Sequence, residues 1–212
     1  MKLVLFGATG MVGSRIAAEA VARGHEVTAV SRSGRAPLPR TRAVAADAHD
    51  SETVAGLAAE HDAVASALVP PRDGSDPREP FIALYDTFLR GLRAGGATRL
   101  LVVGGAGSLE VSPGELLVDT PDFPPEFRGE AHAHHDVLTR LRGCNAELDW
   151  TYISPAAEIA PGERTGTFRL GGDVLLIDSE RRSRISAEDY AVAFVDELEQ
   201  DAHPRRRMSV AY

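Results

Sequence analysis

The sequence predicts a doubly wound α/β fold, a mostly parallel sheet covered by helices on both faces. Three observations predict it. Short apolar runs alternate with segments of helical spacing along most of the chain. The first run, "KLVLF" (2–6), is continuously apolar behind Lys2, as a strand buried on both faces must be. A glycine-rich turn, within "FGATGMVG" (6–13), follows that strand directly and opens a helix.

The elements follow in order. "MVGSRIAAEAVAR" (11–23) sets Ile16, Ala20 and Val21 on one helical side, and Gly24 closes the helix. "HEVTAV" (25–30) and "TRAVAAD" (41–47) are the second and third strands. "DSETVAGLAAE" (50–60) opens on Asp50 or Ser51 as N-cap, and "DAVASAL" (62–68) is the fourth strand. A polar Pro/Gly loop (70–80) then leads into a long helix with Pro80 at its first position. "RLLVVGG" (99–105) is the fifth strand. An irregular stretch precedes a helix from about Glu126 to Arg142, and "DWTYISPA" (149–156) is the sixth strand. Beyond Ala156, "GTFRLGGDVLLID" (166–178) has the pattern of a hairpin turned at Gly171-Gly172. Ser186 and Asp189 then form a capping box before an amphipathic helix, and "RMSVAY" (207–212) ends the chain as a strand.

The chain has 212 residues, which suits one domain able to bury a full core. A net charge of −8 argues against nucleic acid as a partner, since phosphate contacts need clustered cations. The short basic runs "SERRSR" and "HPRRR" read as solvated loops. No apolar run is long enough to span a membrane, and the sequence opens directly on a strand pattern, so no signal peptide is expected. Cys144 is the sole cysteine, so no internal disulfide is possible and a cytoplasmic location is expected. The partner expected is a small-molecule substrate. Nothing in the sequence speaks to oligomeric state.

Gly7, Gly10 and Gly13 are spaced as a phosphate cradle. Gly7 lets the chain turn out of the strand, Gly10 leaves room for a pyrophosphate, and Gly13 allows close packing of helix on sheet. Thr9 and the N–H groups of Met11 and Val12 complete the cradle, where the helix dipole favours an anion. The end of the second strand then selects the dinucleotide. An NAD-specific chain carries a carboxylate there, whereas this one has "AVSRSGR". Arg32 offers a planar cation for a 2′-phosphate and Ser33 a hydroxyl, so the expected cofactor is NADP(H). Asp47, followed by Ala48 in "AADAHD", suits either an adenine amino group or the cap of the next helix. Ser66 and Ala67 in "ASAL" are small enough for a flat cofactor to lie against the backbone.

With these motifs placed, the sequence resembles the atypical short-chain dehydrogenase/reductases of the Rossmann type. More narrowly it is similar to the NAD(P)H-binding, NmrA-like group that includes biliverdin reductase B-type flavin reductases. The carrying motifs are "FGATGMVG", "SRSG", "AADAHD", "VVGGAGSL", "WTYISPA" and "ISAEDYAVAFVDELE". The resemblance implies that Gly104, Gly105 and Ala106 flank the nicotinamide. It also implies that Ser154, Pro155 and Ala156 close over its carboxamide, and that residues 157–185 contribute a small substrate lid.

The wider superfamily uses a Tyr-x-x-x-Lys proton relay at the start of the helix before the sixth strand. The best-spaced pair here is Phe127 and Ala131, neither of which can exchange a proton. A serine usually follows the fifth strand, and Ser108 stands a few residues late. The stretch "HAHH" (132–135) supports three readings: an exposed polar helix face, His132 directed into the pocket as an acid or base, or a metal site lacking a third ligand. No metal is expected. Ser108 and His132 are therefore the candidate catalytic residues. Tyr152 and Tyr190 read as core. The expected function is an NADPH-dependent reductase of a small flat acceptor, such as a flavin or quinone. The alternatives are a non-catalytic NADP(H) sensor and an epimerase or dehydratase.

Overall fold

The computed structural model describes residues 1–144 and 148–212. Its order is β1 (Lys2–Phe6), α1 (Met11–Ala22), β2 (Glu26–Ser31), β3 (Arg42–Ala45), α2 (Ser51–Ala59), β4 (Ala63–Ser66), α3 (Arg78–Ala94) and β5 (Arg99–Val103). Then come β6 (Glu110–Ser112), β7 (Glu115–Leu116), α4 (Arg128–Arg142), β8 (Asp149–Ser154), β9 (Glu158–Ala160), β10 (Arg169–Gly171), β11 (Arg184–Ser186), α5 (Ala187–Gln200) and β12 (Arg206–Ala211). The main sheet runs β10-β12-β8-β5-β4-β1-β2-β3. All its pairings are parallel except that of β10 with β12. The doubly wound α/β class is thus realised.

Two apolar layers flank the sheet. Ile16, Ala20, Phe194 and Leu198 bring α1 and α5 onto one face. Val54, Phe81, Phe88, Val137 and Leu141 bring α2, α3 and α4 onto the other. The continuously apolar β1 is buried from Leu3 to Phe6 because both layers cover it.

Several local readings change. Asp50, not Asp47 or Ser51, caps α2, its carboxylate accepting from Glu52 and Thr53 N–H. The long third helix begins at Arg78 rather than Pro80, started by Asp76, whose carboxylate accepts from Arg78 N–H (3.0 Å). Pro80 is tolerated in that first turn because N–H groups there lack intrahelical acceptors. The Gly171-Gly172 hairpin does not form. Neither glycine adopts the left-handed backbone of a tight hairpin turn. A Cβ on Gly171 would stand 2.8 Å from Ser209 Oγ, so that glycine serves close approach of β10 to β12. The following residues leave to bond Glu110, through Glu110 N–H to Asp173 O (2.9 Å) and Leu175 N–H to Glu110 O (2.8 Å).

The capping box of α5 is half formed. Ser186 Oγ accepts from Asp189 N–H (2.9 Å), while the Asp189 carboxylate turns to Thr165 N–H, Thr165 Oγ1 and Gly166 N–H at 2.6–2.8 Å. Tyr212 also donates to it. Burial opposes the charge on Asp189, but these donors hold its carboxyl below the usual range. Glu188 takes Gly162 N–H, and Arg164 donates twice to Glu19 of α1 at 2.8 Å. Residues 162–166 therefore form a strap fastened to α1 and α5.

Candidate functional site

Strand order reverses between β1 and β4, and the loops leaving their carboxyl ends meet there. Gly7 sits at φ +77°, where a Cβ would strike Ala67 O at 2.3 Å. A Cβ on Gly13 would lie 2.2 Å from Gly7 O. Gly13 lets α1 close onto the turn, and Gly7 lets the turn lie against the chain leaving β4. Gly10 differs: its nearest neighbour would be 3.5 Å away, so the room above it is open. Gly10 occupies the N-cap position of α1, and no side chain caps that helix. Thr9, Gly10 and Met11 are exposed and Val12 half-buried. The first N–H groups of α1 thus face an open space sized by a missing side chain, a fit for a pyrophosphate.

Arg32 and Ser33 are exposed just past β2. Among the described residues the Arg32 guanidinium makes no hydrogen bond or ion pair, and it lies close enough to Asp47 to favour the ionised carboxylate. The larger cause holding the Asp47 carboxyl low is His49, whose backbone N–H and ring both bond Oδ1. Oδ2 is left for another donor. Ala48 and Ala67 are buried, and the Ser66 hydroxyl is spent on Tyr85 (2.8 Å).

The turn after β5 is built otherwise. Gly105 N–H donates to the Tyr152 hydroxyl (3.0 Å), and Ser154 Oγ donates to Gly105 O (2.9 Å). Tyr152 in turn donates to His134 O of α4 (3.0 Å). Gly104 must be glycine because a Cβ would meet the Tyr152 ring at 2.2 Å. Pro155 and Ala156 are buried behind this turn, and Ala106 is half-buried on it. Further along, Arg207 Nη1 donates to both the carbonyl and the hydroxyl of Ser108 at 2.9 Å. Arg207 also binds Asp173, so this arginine of "HPRRR" is buried instead of solvated.

Ser108 is thus 5% exposed, with its oxygen engaged by a guanidinium. His132 is half-buried on α4. His134 is the histidine that meets the Gly105 turn: a Cβ on Gly105 would lie 3.1 Å from His134 Cβ. Its ring packs edge-on against Phe81, with centroids 5.1 Å apart. Burial pushes its imidazole down to about 4, so the ring is neutral at physiological pH. Ala131, in the relay position, packs against Gly107, and Phe127 is exposed. Among the described residues no group of three or more His, Cys, Asp or Glu side chains could hold a metal ion. A recess of about 540 Å³ lined by Lys2, Arg42 and His61 opens at the opposite, amino end of the sheet, away from these turns.

Sequence reasoning missed His134, Tyr152 and Arg207 as parts of the site. Tyr152 could have been found from its spacing, two residues before Ser154 on the same strand face.

A sequence profile for NAD(P)H-binding proteins matches residues 7–201. The chain belongs to the NAD(P)H-binding family. The family's nicotinamide cofactor suits the open glycine turn, and the chain falls in the atypical short-chain dehydrogenase/reductase-like group of Rossmann proteins. A Burkholderia pseudomallei protein provisionally named as exported is 49% identical, with full coverage of both chains and a TM-score of 0.90. A Bacteroides thetaiotaomicron protein provisionally named an epimerase is 38% identical, covering 100% of this chain and 96% of its own, at TM-score 0.90. A Streptococcus pneumoniae protein provisionally named an NADH-flavin reductase is 39% identical, covering 100% and 99%, at TM-score 0.86. No helix among the described residues is long and apolar enough to cross a membrane.

Proposed function

We propose that this family member is an NADPH-dependent reductase of a small, flat, electron-poor acceptor such as a flavin or quinone. The carrying observation is the pairing of an open dinucleotide cradle at Gly10 with a relay position filled by Ala131, packed on Gly107. Such a site suits an acceptor that takes a hydride without a strong acid beside it. The reaction is NADPH + H⁺ + oxidised acceptor → NADP⁺ + reduced acceptor: two electrons and one hydrogen come as hydride, and the second proton comes from water. The Streptococcus relative's name supports a flavin acceptor. The epimerase name of the Bacteroides relative fits this chain less well, because Phe127 and Ala131 cannot exchange the protons that epimerisation of a sugar carbon needs.

The preference for NADPH rests on the unpartnered Arg32 guanidinium and on the lack of a carboxylate in "SRSGR". A cytoplasmic location suits the lone thiol of Cys144, and cell fractionation tests it against the exported name of the Burkholderia relative. The decisive experiment titrates the protein with NADPH and NADH, then follows nicotinamide absorbance with flavins, quinones and aldehydes. Oxidation of NADPH by a flavin or quinone is expected. Tight binding without turnover on any acceptor would replace this reading with an NADP(H) sensor. Arg32→Ala should weaken NADPH about 10–100-fold, the worth of one charge-assisted contact, and leave NADH unchanged. Equal wild-type affinity for the two would overturn the preference.

A further inference from the structure

Only part of His134 is accounted for by packing. Its backbone carbonyl accepts from Tyr152, and its ring is held between Phe81 and the Gly105 turn. Of the two ring nitrogens, Nδ1 is sealed from solvent without a partner. Nε2 also has no hydrogen-bond partner among the described residues, yet it is not sealed. The side of the ring that carries Nε2 is the side facing Gly105, since Cδ2 would be 3.6 Å from a Cβ placed there. The edge of the imidazole that carries its one accessible nitrogen therefore lies along the turn after β5, which the family resemblance sets beside the nicotinamide.

The tautomer follows from the burial. A neutral imidazole must bury either an N–H or a lone pair at Nδ1. An orphaned buried N–H is the rarer and costlier choice, so the proton belongs on Nε2. The ring is then a fixed, uncharged donor. Burial keeps it neutral, and the charges that act on it, Glu130 and Arg72, pair with each other at 2.8 Å and work in opposite senses.

We propose that His134 is a catalytic residue, whose Nε2–H donates a hydrogen bond to the acceptor heteroatom that gains electron density as hydride arrives. This rests on the reductase reading. It places a preorganised donor where the absent Tyr and Lys relay leaves none. A neutral donor of this kind stabilises developing negative charge without surrendering its proton. The solvent proton completes the product as already balanced.

Two measurements test it. In steady-state assays with NADPH and the best acceptor, His134→Phe should lower kcat about 100-fold, as loss of one such donor does. The KM and Kd for NADPH should stay within twofold. His134→Gln, which keeps an N–H near the Nε2 position, should recover part of the loss. The wild-type kcat should show no descending limb near pH 6.5. Unchanged kcat in His134→Phe, or a loss seen only in NADPH affinity, overturns the proposal. The second measurement does not need turnover. Nitrogen-15 NMR of the wild-type protein should show the His134 proton on Nε2, and the Nε2–H resonance should move when flavin mononucleotide is added to the NADP⁺ complex. A proton on Nδ1, or no movement while other resonances shift, overturns it. A wild type inactive on every acceptor sinks the reductase reading instead, and the NMR result still decides His134.

Discussion

Two glycine turns sit at the carboxyl edge of the same sheet, and they are built to opposite ends. In the turn after β1, Gly7 and Gly13 are locked against backbone, while Gly10 is left open and the first N–H groups of α1 have no capping side chain. In the turn after β5, the backbone is consumed. Gly105 N–H and O are taken by Tyr152 and Ser154, and Ser108 is taken by Arg207. Polar groups left free at a helix start bind a ligand, whereas groups captured by side chains hold a wall in place. The first turn is thus the one built to receive the dinucleotide in the function proposed. The second braces the site, and in the proposal above its chemistry is assigned to the residue that leans against that wall, His134.

The comparison breaks most sharply at the first turn. Gly13→Ala puts a methyl 2.2 Å from Gly7 O, a backbone atom that cannot step aside. The expected cost is about 3 kcal/mol of stability, with loss of cofactor binding. Gly10→Ala meets nothing nearer than 3.5 Å, so it should melt like wild type. Its methyl nevertheless fills the space a pyrophosphate needs, and dinucleotide affinity should fall at least about 10-fold, a cost of about 1.4 kcal/mol. Calorimetry and fluorescence titration check the pair. A Gly10→Ala protein that binds NADPH normally would show that the open space is not the cradle.

The next largest effect belongs to the second turn and depends on pH. An unfolded histidine takes a proton below about pH 6.5, whereas native His134 takes one only near 4. Between those values the unfolded state binds more protons, so stability falls as pH is lowered from 6.5 toward 4, by up to about 1.4 kcal/mol per unit. At pH 5 the loss is about 2 kcal/mol, which His134→Phe should remove. Urea unfolding at pH 7 and pH 5 measures it, and equal acid slopes in both proteins would show that the ring is not buried neutral.

How legible was this asymmetry in the sequence? The first turn was written locally. Its strand, glycines and helix all lie within residues 2–22, and the apolar run and the glycine spacing are readable without knowing the fold. The second turn is made by distant residues. Arg207 reaches Ser108 from 99 positions away, and as part of a three-arginine run it has the look of a solvated loop. Two positions apart on a helix, His132 and His134 point to different sides of α4, but only the packing of α4 on the β5 turn decides which one meets Gly105. Gly171-Gly172 misled for a related reason. A glycine needed for contact with Ser209 is indistinguishable, in sequence, from one needed for a turn.

Tyr152→Phe probes the brace itself. Removing the hydroxyl leaves Gly105 N–H without its acceptor and His134 O without its donor. The expected loss is about 1.5 kcal/mol in urea unfolding. NADPH affinity should hold, because the phosphate-side turn is untouched. A fall in affinity as large as that of Gly10→Ala would mean that the two turns are coupled rather than separate devices.

The smallest effect concerns the strap over residues 162–166, which separates the two turns in another way. Its ion pair goes to Glu19 on α1, the helix that carries the first turn, and its other ties go to α5. None of these ties reaches the turn after β5. The two hydrogen bonds from Arg164, with help from Arg23 and against the cost of burial, hold the Glu19 carboxyl down at about 2. Arg164 itself is 55% exposed, so solvent screens much of the gain. Arg164→Ala should therefore cost only about 1 kcal/mol at neutral pH. The contribution is present above about pH 4.5 and is lost as pH falls toward 2, because the depressed carboxylate must then protonate. Melting curves at pH 7 and pH 3 should converge for variant and wild type as the acid limit is approached. Acceptor kinetics should be unchanged, since the strap touches the binding turn's helix and not the wall on which His134 leans.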